Sequence, residues 1–351
     1  MDNYEPQQIP WREHIRMRPA MYMGLTNVSG FTQVLGYFFE ELLNDSISNP
    51  TFEIEFISTS RLNIKITNVD TKRFLLRFNE LHSVNKIQGA LGLVILLALS
   101  STILITINNS PTATILQGKK DTDEIISSTK ATEEKSIIID YTIDSEILKD
   151  INLNYEIIND FLQQFAFLNP SLKIISTDKT NNELQRNIFF YPSGIFKQLD
   201  IHLLKQLYGA PRFKYYIEKD TGIYSYKIGL CYGNLWPEKT LIKSFAGNVE
   251  THLGGSLLDG VLAGLIKTIK HFAKKENTGI NISKKLVIDG LNLIAIVKGE
   301  NLVFAGSTKV KLGMPKLRKE VKEIVFEEMT AYFEANPIVK ENVLDKFRKW
   351  N

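Results

Sequence analysis

The sequence predicts an α+β fold in two domains. The first is a three-layer-like sandwich of helices on a mixed sheet, and the second is a smaller unit containing a β-α-β run. Three observations predict it. Apolar residues recur at three- and four-residue steps over 30–48 (Phe31, Val34, Leu35, Phe38, Leu42, Leu43), the period of an amphipathic helix. "TFEIEFIS" and "RLNIKITN" (51–68) alternate apolar and polar instead, which predicts an antiparallel hairpin turning near Ser58–Arg61. The pattern changes character near Pro192–Gly194, which places a boundary close to residue 195 and gives domains of 1–195 and 196–351.

Taken in order, "RMRPAMYMG" (16–24) reads as a basic stretch, a proline stop and a short apolar strand ending in Gly24. After the hairpin, "RFLLRF" alternates like an ordinary strand. The apolar run "ALGLVILLALSSTILITI" (90–107) is broken by Ser100, Ser101, Thr102 and Thr106, and becomes β-branched after Ser101. It reads as a buried helix (88–99) running into a strand rather than a membrane span. Strands near 102–107 and 112–117 follow, then a polar loop over 118–136 and the strand "IIIDYTI". A helix over 154–168 stops before Pro170, and "LKIISTDK" with "QRNIFFYP" forms a second hairpin. Beyond the boundary come a helix from Gly194, strands at 212–218, 222–232 and 241–247, a Gly-Gly turn and a helix over 256–275. A strand near 291–298, the loop "FAGSTKVKLG" (304–313) and a helix from Pro315 to Ala335 complete the chain.

Composition narrows the function classes. The chain has 351 residues, 44% hydrophobic and 23% charged, enough for a sizeable core in each domain. A net charge of +3 is too small to argue for nucleic acid by itself. From Ile266 onward, however, 17 Lys/Arg face 10 Asp/Glu over 86 residues, which leaves a basic surface as one route to DNA. The single cysteine, Cys231, excludes an internal disulfide and fits a reducing cytoplasm. "MDNYEPQQIPWREH" carries no apolar signal core, and no membrane association is expected.

Several local words, in this order, resemble the N-terminal half of the DNA gyrase B protein and of its topoisomerase IV counterpart. "IRMRPAMYMG" is similar to the family's Arg-Pro-Gly-Met-Tyr-Ile-Gly, "ELLNDSI" to its Glu-x-x-Asp-Asn-Ser-Ile, and "GLVILLALS" to Gly-Val-Ser-Val-Val-Asn-Ala-Leu-Ser. "LQQFAFLN" with "TDK", "THLGGS" with the helix after it, and "GSTKVKLG" also resemble family words. The resemblance runs essentially end to end. It implies an ATPase domain of the GHKL superfamily (gyrase, chaperone, histidine kinase, MutL) followed by a transducer domain of the ribosomal protein S5 domain 2-like type. In that family ATP closes two protomers into a gate that captures DNA. The chain is expected to end where the transducer ends, without the metal-binding cleavage domain.

The resemblance also implies site residues. In the helix word, matching the apolar positions makes Glu41 the base that activates water and Asp45 the Mg2+ ligand, with Asn44 beside it. The alternative register uses Glu40 and Asn44. Residues at i and i+4 share one helix face, as a base and a metal ligand must. Asn68 stands where the family has its adenine-binding Asp, and Asp70 is a substitute two residues on. The glycines that let backbone approach nucleotide are absent there. The phosphate lid is shortened to "FLLRFNELHSVN" followed by "KIQGALG", which keeps Gly92 and an offset Gly89. Ser136 keeps an adenine-side hydroxyl, and Lys309 matches the transducer lysine that reaches the γ-phosphate. An arm through Tyr4 and Ile9 keeps the spacing that covers a partner's nucleotide.

Two functions are therefore expected. In the leading one, the module has a degenerate site, hydrolyses no ATP and acts as a dimerising structural or regulatory partner of itself or of a topoisomerase subunit. In the alternative it is a working ATP clamp of a type II DNA topoisomerase. The cofactors are ATP and Mg2+ if the site functions, and none otherwise.

Overall fold

A computed structural model describes residues 10–84, 90–109, 112–119, 122–128, 134–149, 151–181, 183–205, 213–233, 240–276, 282–306 and 309–348. The chain folds as two compact units, 1–192 and 193–351.

The first unit opens with two short helices, α1 (Trp11–Met17) and α2 (Pro19–Met23), followed by the long helix α3 (Val28–Asn44). The strand expected before Gly24 is thus helical. Pro19 sits at the first helical position, where its fixed φ favours a helix and its missing N–H leaves nothing unsatisfied. Asn27 caps α3 by accepting from Ser29 N–H and Gly30 N–H, and Phe31, Val34, Leu35, Phe38, Phe39 and Leu42 form its buried face. The helix ends at Asn44, four residues before the expected limit, because Ser46 already pairs with Val69 as a strand.

The hairpin β1 (Ser46–Ser58) and β2 (Arg61–Val69) leads into α4 (Thr71–Val84) and α5 (Leu91–Ala98). Strands β3 (Ser100–Asn108), β4 (Ala113–Lys119), β5 (Thr122–Ser128) and β6 (Ser136–Ile143) follow, then α6 (Tyr155–Leu168), β7 (Lys173–Asp178) and β8 (Gln185–Phe189). The eight strands make one sheet in the order β5-β4-β3-β6-β2-β1-β7-β8, antiparallel except for β1 with β7.

Two further expectations fail here. "RFLLRF" lies inside helix α4: Phe74, Phe78 and Leu81 recur at helical spacing and are buried, and Asp70 accepts from Lys72 N–H and Arg73 N–H to start the helix. The short alternation fitted either period, and the cap decides it. Strand β5 lies inside the expected polar loop, paired backbone to backbone with β4 (Ile115 opposite Ile126).

The sandwich has two layers, not three. Phe52, Ile54 and Phe56 on β1 and Ile64 and Ile66 on β2 point into one core with α3, α5 and α6. The residues between them face outward and carry ion pairs, Arg61 with Asp140, Lys65 with Glu134 and Lys179 with Glu55. An antiparallel sheet can keep one face wet in this way. Helix α5 is apolar all round and buried throughout except Leu91. Its end is tied down by Arg16, which donates to Ala98 O at 2.9 Å and pairs with buried Asp144 at 2.8 Å.

The second unit comprises α7 (Ile195–Lys205), β9 (Phe213–Asp220), β10 (Tyr224–Tyr232), β11 (Ile242–Ala246), β12 (Val249–Glu250), α8 (Ser256–Lys275), α9 (Lys284–Ile288), β13 (Leu291–Gly299), α10 (Pro315–Ala335) and α11 (Pro337–Arg348). Its sheet runs β12-β11-β13-β10-β9, with β11 and β13 parallel across the α8 crossover. Helices α9 and α11 were not anticipated. Each is short, and α11 restarts at Pro337 only two residues after α10 ends. Cys231 is buried in β10, where burial pushes its thiol up to about 12. Among the described residues, no helix is long and apolar enough to cross a membrane.

Candidate functional site

The C-terminal turn of α3 meets the N-termini of α4 and α5, and four of the expected site residues, Glu41, Asp45, Asp70 and Gly92, converge there. The helix separates the two candidate registers by burial. Glu41 and Asp45 are buried, whereas Glu40 and Asn44 are exposed.

Glu41 reaches the first turn of α5. Gly92 N–H donates to its Oε1 at 2.6 Å and Leu93 N–H donates to its Oε2 at 3.2 Å. The carboxylate thus caps a helix whose Ncap residue, Ala90, offers no side-chain acceptor. Burial raises its pKa to about 7 against the pull of those two amides and of Arg77. Gly92 is required by packing. A Cβ there would lie 2.3 Å from Phe38 N and 2.5 Å from Phe38 Cα, so only glycine lets α5 approach the backbone of α3.

Asp45, the C-cap residue of α3, is held by two arginines one turn apart on α4. Arg77 Nη2 donates to Oδ2, and Arg73 Nε lies 3.2 Å from Oδ1. The same guanidiniums reach the free carbonyls at the end of α3: Arg77 donates to Glu41 O at 3.5 Å and Arg73 to Asn44 O at 3.2 Å. Burial pushes the Asp45 carboxyl up, and Arg77 and Arg73 pull it back. Sequence reasoning missed both arginines because "RFLLRF" looked like a strand. Their i, i+4 spacing beside the helical repeat of Phe74, Phe78 and Leu81 was the signal that could have found them.

The residues expected on the adenine side lie near the neighbouring strand ends. Asn68 is exposed, adopts φ 62°, and donates through Nδ2 to Asn49 O at 3.1 Å, closing the irregularity between β1 and β2. Asp70 is committed to the start of α4, as described above, and its own N–H donates to Asp45 O at 2.8 Å. Ser136 is buried and accepts from Asn108 Nδ2 at 2.9 Å, and Thr71 donates to Asn109 Oδ1 at 3.0 Å. Tyr4, Ile9 and Gly89 lie outside the described residues.

Lys309 belongs to the second unit. It adopts φ 55°, and its ammonium stands 5.9 Å from the Phe304 ring centroid. Its loop docks on the Gly-Gly turn: Leu253 N–H donates to Val310 O, Leu312 N–H to Gly254 O, and Ser256 N–H to Leu312 O. A Cβ on Gly255 would fall 2.3 Å from Leu312 O, so this word also has a packing reason to be glycine.

These residues, as placed, do not fit Mg2+ or a triphosphate. The Asp45 oxygens face guanidiniums, and among the described residues no group of three or more His, Cys, Asp or Glu could hold a metal. The amides of Gly92 and Leu93, which would serve an anion at the start of α5, already bind Glu41.

Residues 202–350 match the family model for DNA gyrase B. The chain is 31% identical over 191 residues to the chloroplastic/mitochondrial DNA gyrase B protein of Oryza sativa subsp. japonica, covering 52% of this chain and 25% of that protein. It is 32% identical over 188 residues to the DNA gyrase B protein of Clostridium acetobutylicum, covering 52% and 29%. The chain therefore spans little more than a quarter of the curated relatives it matches. In fold it is similar to the 43K ATPase domain of Thermus thermophilus gyrase B (TM-score 0.76, 19% identity, 97% of this chain and 94% of that one). Gyrase B of Myxococcus xanthus is likewise similar, with a TM-score of 0.79, 18% identity, and 95% and 99% of the two chains covered. In sequence the chain is thus similar to DNA gyrase B over the stretches matched, and in fold it is similar to the ATP-binding domains of gyrase B and topoisomerase IV.

Proposed function

We propose that the chain is a gyrase B-like ATPase–transducer module that does not hydrolyse ATP and serves as a dimerising structural or regulatory partner, in the cytoplasm, of itself or of a topoisomerase subunit. Residues 1–195 form its ATPase-like domain and residues 196–351 its transducer. One observation carries this reading: both carboxylates of the helix word are used internally, Glu41 by the start of α5 and Asp45 by Arg77 and Arg73. A carboxylate that accepts from two buried amides serves as the cap of α5 rather than being presented to water, and a carboxylate inside two guanidiniums offers a metal little. Asn68, Asp70 and Ser136 support the same reading, since each has a partner within the chain.

The test is calorimetric titration with a non-hydrolysable ATP analogue and Mg2+, read beside the mass in solution. The proposal expects no heat at millimolar nucleotide. Micromolar binding coupled to a shift from monomer to dimer would replace it with the clamp.

The clamp reading draws on a specific observation of its own. A Glu41 pKa near 7 suits a general base working at neutral pH. It requires phosphate release from the parent protein that Glu41→Gln abolishes while leaving the fold intact. DNA binding through the second unit is supported by the basic excess after Ile266. Several of those cations are already paired, however: Lys267 with Glu323, Lys340 with Glu276, and Arg348 with Glu341 and Asp345. Sequence-independent DNA binding that weakens steeply with salt would support that surface.

A further inference from the structure

We propose that α4 supplies an internal cation: the Arg77 guanidinium, backed by Arg73, takes the place at Asp45 that a divalent metal would occupy, so the buried carboxylate has its counter-charge without metal or nucleotide. The inference deepens the non-hydrolysing reading and rests on it.

The geometry points this way in three respects. The Asp45 side chain is fully excluded from solvent, and a lone carboxylate there could not stay ionised without a counter-charge. Arg77 is the nearer and more enclosed cation, with 15% of its side chain exposed against 64% for Arg73. A guanidinium keeps its charge at every working pH and offers several donors from one plane. Arg77 uses this to serve Asp45 Oδ2 and the Glu41 carbonyl together, joining the side-chain and main-chain negative ends of α3. Finally, α4 is not free to drift. Phe74, Phe78 and Leu81 are each almost wholly buried in the first core, and Asp70 caps its start. That packed face fixes the rotation of the helix and so holds the arginines, about a quarter-turn round it, toward Asp45. A second cation of any kind would meet two positive charges at the mouth of the site.

Once Arg77 is removed, a metal should be able to replace it. Thermal melts are run on the parent, Arg77→Met and Arg77→Met/Asp45→Asn, each with and without millimolar Mn2+ and without nucleotide. Methionine keeps an unbranched apolar stem, so packing changes least. The parent is expected to show no Mn2+-dependent shift. Arg77→Met is expected to melt lower and to recover several degrees saturably with Mn2+, and the double variant to show no recovery. A folded Arg77→Met that ignores Mn2+ would overturn the internal cation. Should Arg77→Met not fold, water-proton relaxation with Mn2+ compares the parent with Asp45→Asn. Equal curves are expected, and binding in the parent that Asp45→Asn removes would overturn the proposal. The two readings fail separately, because metal is titrated here alone. Phosphate release abolished by Glu41→Gln would overturn the non-hydrolysing reading without any bearing on Mn2+.

Discussion

Replacing Arg77 by Met leaves Asp45 buried with only the largely exposed Arg73 to compensate it. Breaking a buried ion pair from one side typically costs about 3–5 kcal/mol, because the remaining charge has lost both water and partner. Arg73, 3.2 Å from Oδ1, still supplies part of the compensation, so the low end applies, at about 3 kcal/mol. For a unit of this size, each kcal/mol lowers the melting temperature by about 2–4 °C, which gives a fall of about 6–12 °C. Replacing both partners, as Asp45→Asn/Arg77→Met, removes the stranded charge. The double variant should therefore be more stable than Arg77→Met alone, with a coupling of about 1–3 kcal/mol. Urea unfolding followed by far-ultraviolet circular dichroism measures all four proteins on one scale. An Arg77→Met loss below about 1 kcal/mol, or a double variant as unstable as the two singles added, would refute the reasoning, since the pair would then behave like a surface salt bridge.

Three other perturbations follow from the same junction. Glu41 has a folded pKa of about 7, above its unfolded value, so the native state holds a proton that the unfolded chain releases. Its contribution is fully present below about pH 4.5 and is lost as pH rises to about 7, an effect on the order of 3 kcal/mol. The stability difference between the parent and Glu41→Gln should follow that profile in urea titrations at each pH, and a pH-independent difference would contradict it. Gly92→Ala drives a Cβ into the α3 backbone and should destabilise by more than the roughly 1–3 kcal/mol of ordinary overpacking, read as a lowered melting temperature. Asp70→Ala removes the start of α4 and should cost about 0.5–2 kcal/mol, with faster amide exchange confined to the first turn of that helix; unchanged exchange at Lys72 and Arg73 would count against the cap.

Much of the framework was legible in the chain alone, because periodicity and local stops are local physics. The amphipathic spacing over Phe31–Leu43, the alternation of "TFEIEFIS" and "RLNIKITN", and the uninterrupted apolar run of α5 each have one good burial solution. The family words carried the fold further, to the one shared with the gyrase B and topoisomerase IV structures. Where local signals were balanced, tertiary contacts decided. "RFLLRF" became helix because its phenylalanines and Leu81 reach the core at helical spacing. The stretch 122–128 became strand because β4 offered an open edge to pair with. The site was decided the same way. That Glu41 and Asp45 share a helix face could be read from their spacing. That one would face the amides of α5 and the other two arginines from a different helix depended on how α3, α4 and α5 meet, because the partners of a buried charge are set by packing across the chain and not by its neighbours in sequence.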